Sequence, residues 1–235
     1  MKNSDRFPSV LDAKIFRGLT GEYKNQFIDS CGFRKFRRGE IVLPQGEQTD
    51  KMLMVAEGRV EISYISETGH KTIIYHAFVG NVLGFVETLS ERACAGTCTA
   101  LTDTNILTCK RSALYEHMQN PVFIRNFAED LHDVLVHDNL YKSIDQFYTA
   151  EQKVCVYLEK LSASDGTVVI GSQSYLADVI GCTRQTVNKE LGRLRDQGII
   201  EITKTGVLIL DYSALSNRLT QLSDTQKESK RGGNC

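Results

Sequence analysis

The sequence predicts an α+β chain in which an antiparallel β-roll leads into one long helix, followed by a small helical unit closed by a hairpin. Three observations carry this. Short β-branched and aromatic runs fill residues 33–110, glycines punctuate them at near-regular intervals, and beyond residue 110 the apolar spacing lengthens to three and four. The composition agrees, since 235 residues with 41% apolar and 24% charged side chains describe an ordinary globular protein with one or two cores. With 28 basic against 29 acidic groups the net charge is -1, which excludes a globally basic nucleic-acid coat and a polybasic membrane anchor. No apolar run approaches the ~18 residues that span a bilayer. The polar start Met1-Lys2-Asn3-Ser4-Asp5-Arg6 has no signal-peptide core. The expected location is therefore cytoplasmic, without a membrane partner. Cysteines 31, 94, 98, 109, 155, 182 and 235 are odd in number and irregularly spaced, unlike a disulfide framework.

In the first part, Glu40–Leu43, Met52–Val55, Arg59–Ile65 and Lys71–His76 read as strands. Glycines 39, 46, 58, 69 and 80 separate them in the rhythm of turns in a sandwich or roll, each expected at positive φ. Gly96–Leu101 and Thr104–Cys109 bring the total to about eight strands by residue 110. From Pro121, which suits a first helical turn, an amphipathic helix runs to about Ile144 without internal glycine or proline. Its stripe of Ile124, Phe127, Leu131, Val134 or Leu135, Asp138 and Tyr141 suits a two-stranded homodimer contact. The candidate dimer residues are Phe127, Leu131, Val134, Leu135 and Asp138. The alternative is that the stripe packs on its own β-roll. A carboxylate such as Asp138 on the stripe costs stability unless paired or solvated.

In the last part, Glu151–Leu161 reads as a helix, Asp165-Gly166 as a turn, and Val168–Ile170 as a short strand. Two helices flank Gly181, and Ile199–Ile202 with Val207–Leu210 form a hairpin around Lys204-Thr205-Gly206. The expected division is 1–120 β-roll, 121–148 dimer helix, 149–220 helical unit with hairpin, and 221–235 flexible tail.

The segment from Ser172 to Leu194 is the most informative. Leu176, Ala177, Ile180, Val187 and Leu191 meet in a small core, Gly181 makes the turn, and the pattern is a helix-turn-helix. Thr183, Arg184, Gln185, Asn188 and Lys189 are left on the outer face. Arg184 and Lys189 can donate to guanine, and Gln185 can bond adenine, in the major groove of double-stranded DNA. Ser174, Thr183 and Thr186 suit phosphates, as does Lys204 from the hairpin tip. Residues 183–195 hold Arg184, Lys189, Arg193 and Arg195 against Glu190 alone, a local excess of 4 − 1 = 3 positive charges.

From Ile15 to Ser216 the chain resembles the CRP/FNR family of bacterial transcription regulators, most specifically over Ile180-Gly181-Cys182-Thr183-Arg184-Gln185-Thr186-Val187. The resemblance implies a cyclic-nucleotide-binding-type jelly roll, a dimerisation helix and a winged helix-turn-helix. It also implies a two-fold operator and, for an activator, contact with RNA polymerase. In the CRP branch the base-reading positions hold Arg, Glu and Arg; here they hold Arg184, Gln185 and Lys189. Half-sites with TGT- or TGA-like cores are expected, altered opposite Gln185.

Cyclic-nucleotide members of the family carry Gly-Glu-x-x-Leu followed by Arg-Ser-Ala. The corresponding positions here are Gly84-Phe85, then Cys94 and Ala95, so the ribose-holding Glu and the phosphate-holding Arg are both missing. Gly84-Phe85 is closer to the FNR branch, whose pocket does not use cAMP. The candidate effector pocket comprises Gly84, Phe85, Glu87 and Arg92, with Asp138 and Asn139 from the long helix. Glu87 and Arg92 leave cAMP or another cyclic nucleotide open as cofactor through a shifted loop. An FNR-type iron–sulfur cluster needs several N-terminal cysteines, and only Cys31 is there. Cys94 and Cys98, on one face of a straight strand, would lie about 13 Å apart between Cα atoms, too far for a disulfide unless the segment bends. His76 is a candidate haem ligand of the kind some members use, or an ordinary strand histidine. The five histidines give no metal spacing, so no metal site is expected. Without a glycine-rich phosphate loop, nucleophile elbow or paired metal ligands, no enzyme and no catalytic residue is expected. The competing class is a cyclic-nucleotide, haem or thiol sensor whose DNA module is vestigial.

Overall fold

The computed structural model describes residues 1–69, 71–162, 167–169, 173–204 and 206–218. It divides into two compact units, Met1–His137 and Asp138–Cys235. The predicted turn at Asp165-Gly166, Ile170 at the end of a predicted strand, Thr205 in the hairpin turn and the tail at 221–235 lie outside the described residues.

The first unit opens with α1 (Asn3–Arg6), two short 3-10 turns (Pro8–Asp12 and Lys14–Phe16) and α2 (Gly21–Ser30). The Thr20 hydroxyl caps α2 by accepting the Tyr23 amide. Eight strands follow: β1 (Gly32–Phe36), β2 (Ile41–Leu43), β3 (Lys51–Glu57), β4 (Val60–Ile65), β5 (Lys71–Ala77), β6 (Val82–Leu83), β7 (Thr97–Ala100) and β8 (Thr104–Lys110). They form two antiparallel sheets, β1-β8-β3-β6 and β2-β7-β4-β5, as expected for a roll. β3 contributes Met52 and Met54 to one core cluster and Leu53 and Val55 to the other, so alternation along one strand feeds both cores.

Each of the five predicted turn glycines has positive φ. Gly58 needs it most: at φ +87° a Cβ there would stand 2.6 Å from the Asp103 carbonyl. Only glycine fits so close an approach. The short β6 and α3 (Phe85–Ser90), which line a cavity of the first unit, escaped the sequence reading. A two-residue strand carries no period, and α3 begins at Gly84 in the left-handed region.

α4 (Arg111–His117) leads to α5 (Pro121–Phe147), the long helix. Its first turns are tied to the first unit. Phe123 is fully buried, and the buried Asn126 amide donates to the carbonyls of Ile15 (2.9 Å) and Arg17 (2.7 Å). Phe127 meets Phe85 edge-on and packs against the same core. This corrects part of the dimer stripe, because Phe127 is occupied within its own chain. Further along, Val134, Leu135 and Val136 are exposed, Leu135 at 63%.

The second unit holds α6 (Ala150–Leu161), β9 (Thr167–Val169), α7 (Gln173–Ile180), α8 (Arg184–Asp196), β10 (Ile200–Ile202), β11 (Gly206–Ile209) and a last helical stretch at 212–218. Thr149 and Gln152 cap α6 reciprocally. The three strands form an antiparallel sheet in the order β10-β11-β9. Leu176, Ala177, Ile180, Val187 and Leu191 are all buried, as the sequence pattern required.

Candidate nucleic-acid interface and sensing cavity

α7, the turn and α8 form a helix-turn-helix. Gly181 turns the chain at φ +67°, and the Cys182 amide returns to the Ala177 carbonyl at 3.0 Å. Thr183 then starts α8 as its cap, accepting the Thr186 amide at 3.2 Å while its hydroxyl meets that of Thr186 at 2.9 Å. Thr183 thus fixes the start of the helix before it meets any phosphate. Val187, Leu191 and Leu194 anchor the inner face.

On the outer face Arg184, Gln185 and Lys189 are exposed, and none makes a hydrogen bond or ion pair among the described residues. A guanidinium, an amide and an ammonium are therefore unengaged on the first turns of one helix. Ser174 near the start of α7 and Lys204 between β10 and β11 are also exposed. Asn188, assigned to the outer face, is half-buried instead, with its Oδ1 enclosed.

The local positive excess is smaller than its sequence count. Arg193 bonds Glu151 on α6 and, at 3.3 Å, Glu190. Those bonds, first to Glu151, raise the Arg193 pKa above its ordinary value. Glu190 is 1% exposed and is also met by Arg218 at 3.4 Å. Arg195 pairs with Asp196 at 2.8 Å. Glu151, Glu190, Arg193 and Arg218 join α8 to α6 and to the last helical stretch. The sequence reading missed this, because Glu151 and Arg218 are distant in sequence from Arg193.

Within the first unit, a cavity of about 370 Å³ lies between β4, β5, α3 and α5. Gly84, Phe85 and Glu87, three of the candidate effector residues, line it. Arg92 does not: it follows Glu91, whose left-handed backbone (φ 58°) ends α3, and is exposed. Asn139 is exposed and absent from the walls, and the Asp138 side chain lies outside the described residues. Missed were Tyr64, Tyr75, Asp130, Leu131 and Val134, which reach the cavity from strands and helix turns that no motif marks.

The wall chemistry is apolar and acidic. Among the described residues no Lys, Arg or His lines it, and the carboxylates are Glu87 and Asp130. Burial raises the Asp130 pKa, opposed by Lys14 and reinforced by Asp133. Burial pushes the Tyr75 phenol up and the Cys98 thiol up to about 12, so both are neutral at pH 7. Cys94 and Cys98 share this wall because the chain bends at residues 95 and 96; the straight-strand separation does not apply. His76 is buried on β5, and burial, aided by Arg59, pushes its pKa down to about 3. Among the described residues no cluster of three or more His, Cys, Asp or Glu could hold a metal, and no helix is long and apolar enough to cross a membrane.

Two family models match the chain: a cyclic nucleotide-binding domain over residues 33–120 and a Crp-like helix-turn-helix domain over residues 152–218. Among characterised proteins, the chain is similar to the transcriptional regulator LdrP of Thermus thermophilus, with 26% identity over 77% of this chain and 94% of LdrP. It is also similar to the CRP-like cAMP-activated global transcriptional regulator of Mycobacterium tuberculosis, with 25% identity over 78% of this chain and 86% of that protein. Among solved structures, FixK2 from Bradyrhizobium japonicum shares the fold with a TM-score of 0.70 and 21% identity, over 80% of this chain and 96% of that one.

Proposed function

The chain belongs to the CRP/FNR family of DNA-binding transcription regulators, and on that premise we propose that it acts as a homodimer controlled by a small molecule held in the roll cavity. The observation that carries the DNA-reading part is the unengaged trio of Arg184, Gln185 and Lys189 on the opening turns of a capped, core-anchored helix. In this reading Arg184 donates to guanine O6/N7, Gln185 favours adenine, and Lys189 takes a second base. Ser174, Thr186 and Lys204 contact phosphates, and Thr183 supports them as the helix cap. Arg193 and Arg195 are held by acidic neighbours and belong to the scaffold.

Ile124, Leu131, Val134 and Leu135 supply the dimer face of α5, with Phe127 behind them. Two recognition helices must lie about 34 Å apart, one DNA turn, to read a two-fold operator. Val134 both lines the cavity and stands exposed, so an occupant would bear on the helix that joins the protomers. It shifts the equilibrium only by its differential affinity for the two dimer arrangements. Among the described residues the walls offer a cyclic phosphate two carboxylates and no guanidinium, which favours an effector other than a cyclic nucleotide. Contact with RNA polymerase follows if the operator position makes the protein an activator.

The test is binding-site selection with wild type and Gln185→Glu, followed by affinity measurements at several salt concentrations. The reading requires a two-fold site, a base preference that moves at one position per half-site in the variant, and affinity that falls steeply with salt. Binding with no sequence preference would refute it.

A further inference from the structure

We propose that Cys31 and Cys109 form a two-electron redox site, converted by a small hydroperoxide into a disulfide. This site lies outside the helix-turn-helix and outside the walls of the cavity. β1 and β8 pair antiparallel with Gly32 opposite Thr108 and Phe33 opposite Leu107, so Cys31, just before β1, and Cys109 are the next two positions in register. Directly opposed Cα atoms in such a ladder are about 4.5–5.5 Å apart, within the roughly 4.4–6.8 Å that a disulfide spans. Both side chains enter the same core cluster, Cys31 at 8% and Cys109 at 2% exposure. The pair is invisible to sequence spacing because strand pairing, and not proximity along the chain, brings it together.

The surroundings give the two sulfurs different roles. The Cys31 thiol donates to the Phe27 carbonyl (3.3 Å) and the Cys109 thiol to the Lys110 carbonyl (3.7 Å), and the coupling between the two sulfurs holds the Cys31 pKa up and brings that of Cys109 down. Cys109, the more acidic of the two, is thus the attacking sulfur once deprotonated, and Cys31 the resolving thiol. Tyr23 lies within electrostatic reach of Cys109, and its hydroxyl meets His117 Nδ1 at 2.8 Å. Burial lowers the His117 pKa, which favours the neutral ring that Tyr23 meets. By contrast Cys94 and Cys98 have raised pKa values, by burial first and by Glu87 among other causes, and Cys182 directs its thiol at the Ile180 carbonyl.

The chemistry balances in two steps. The Cys109 thiolate attacks the terminal peroxide oxygen, breaking the O–O bond to form a sulfenic acid, and the leaving alkoxide or hydroxide takes up a proton. Cys31 then attacks that sulfur, the S–S bond forms, and water leaves carrying the sulfenic oxygen. Two thiols lose two protons and two electrons, and one peroxide is reduced to water and an alcohol, or to two waters. Phe27 and Phe123 belong to the same cluster, so the cysteine pair sits among the elements that seat the start of α5.

The experiment treats the reduced full-length protein with hydrogen peroxide, blocks remaining thiols under denaturing conditions and maps peptides without reduction. The expected result is a peptide linking Cys31 to Cys109, released by dithiothreitol and still formed in the Cys94→Ser/Cys98→Ser variant. In Cys31→Ser the reaction should stop at a sulfenic acid on Cys109 that dimedone traps. The proposal is overturned if both thiols remain fully alkylatable while Cys182 is oxidised, or if the cross-link joins Cys94 to Cys98. The wild-type map decides this even where a variant folds poorly, and a gel shift on the same sample reads the DNA-binding proposal separately.

Discussion

Replacing Glu190 by Gln tests whether the charges at the end of α8 serve the scaffold or the DNA. The carboxylate is 1% exposed and meets Arg193 at 3.3 Å and Arg218 at 3.4 Å. Removing one member of a fully buried pair costs about 3–5 kcal/mol, whereas an exposed pair contributes about 0–1 kcal/mol. The Arg193 and Arg218 side chains are 40% and 20% exposed, so water screens their side of the pairs. Glutamine retains an acceptor of the same shape. The expected loss is therefore about 2 kcal/mol, between those limits. Hydrogen exchange along a urea series, read at the amides of α6 and α8, should show that loss in the second unit alone. Lys189→Ala should leave exchange unchanged and instead lower the salt slope of DNA affinity by about one. Unchanged α8 protection in Glu190→Gln would refute the scaffold role, as would a salt-slope change as large as that of Lys189→Ala.

Gly58→Ala should lower the stability of the first unit by at least about 2 kcal/mol in urea unfolding, because its backbone is left-handed and its Cβ would meet Asp103 O. Leu135→Asp should weaken self-association at least about tenfold in analytical ultracentrifugation without unfolding the protomer, since Leu135 is exposed on α5; an unchanged dimer would locate the contact elsewhere. His76 is held near pKa 3 against 6.5 ordinarily, so the folded state keeps the neutral ring while the unfolded chain takes up a proton. Stability is therefore lost as pH falls below about 6.5, by roughly 2 kcal/mol at pH 5. His76→Gln should flatten that part of the pH–stability curve, and an unaltered curve would place the titration on another group.

The strands and the helix-turn-helix were legible because each carries its own period or turn signal. Leu176, Ala177, Ile180, Val187 and Leu191 could be assigned to one core from spacing alone. Gly58 could be assigned a left-handed turn, because alternating runs flank it. What remained hidden depends on pairings between distant segments. Glu190 reads as an ordinary helix-surface acid until α6 supplies Glu151 and the last helical stretch supplies Arg218. Phe127 fits the dimer stripe by spacing, yet α3 offers it Phe85 in the same chain. The cavity was half legible: Gly84 and Phe85 came from the cassette comparison and Glu87 as a nearby substitute, whereas Asp130 comes from a helix turn that no cassette includes.

Asp130 also shows why the sensing chemistry cannot be inferred from the cassette alone. Losing the cassette arginine could be compensated by any cation reaching the cavity from another element. Arg92 was the candidate, and it turns outward after Glu91. Lys14 lowers the Asp130 pKa, but its ammonium is bonded to Asp133 at 3.2 Å. Among the described residues that leaves Glu87 and Asp130 facing an apolar space without a cation in its wall. Inserting a phosphate there would bring like charges together where the dielectric constant is low, and each close pair would oppose binding. A ligand with a neutral or cationic polar end and an apolar body meets no such opposition, and its ammonium or hydroxyl could bond Asp130, whose carboxylate has no hydrogen-bond partner among the described residues.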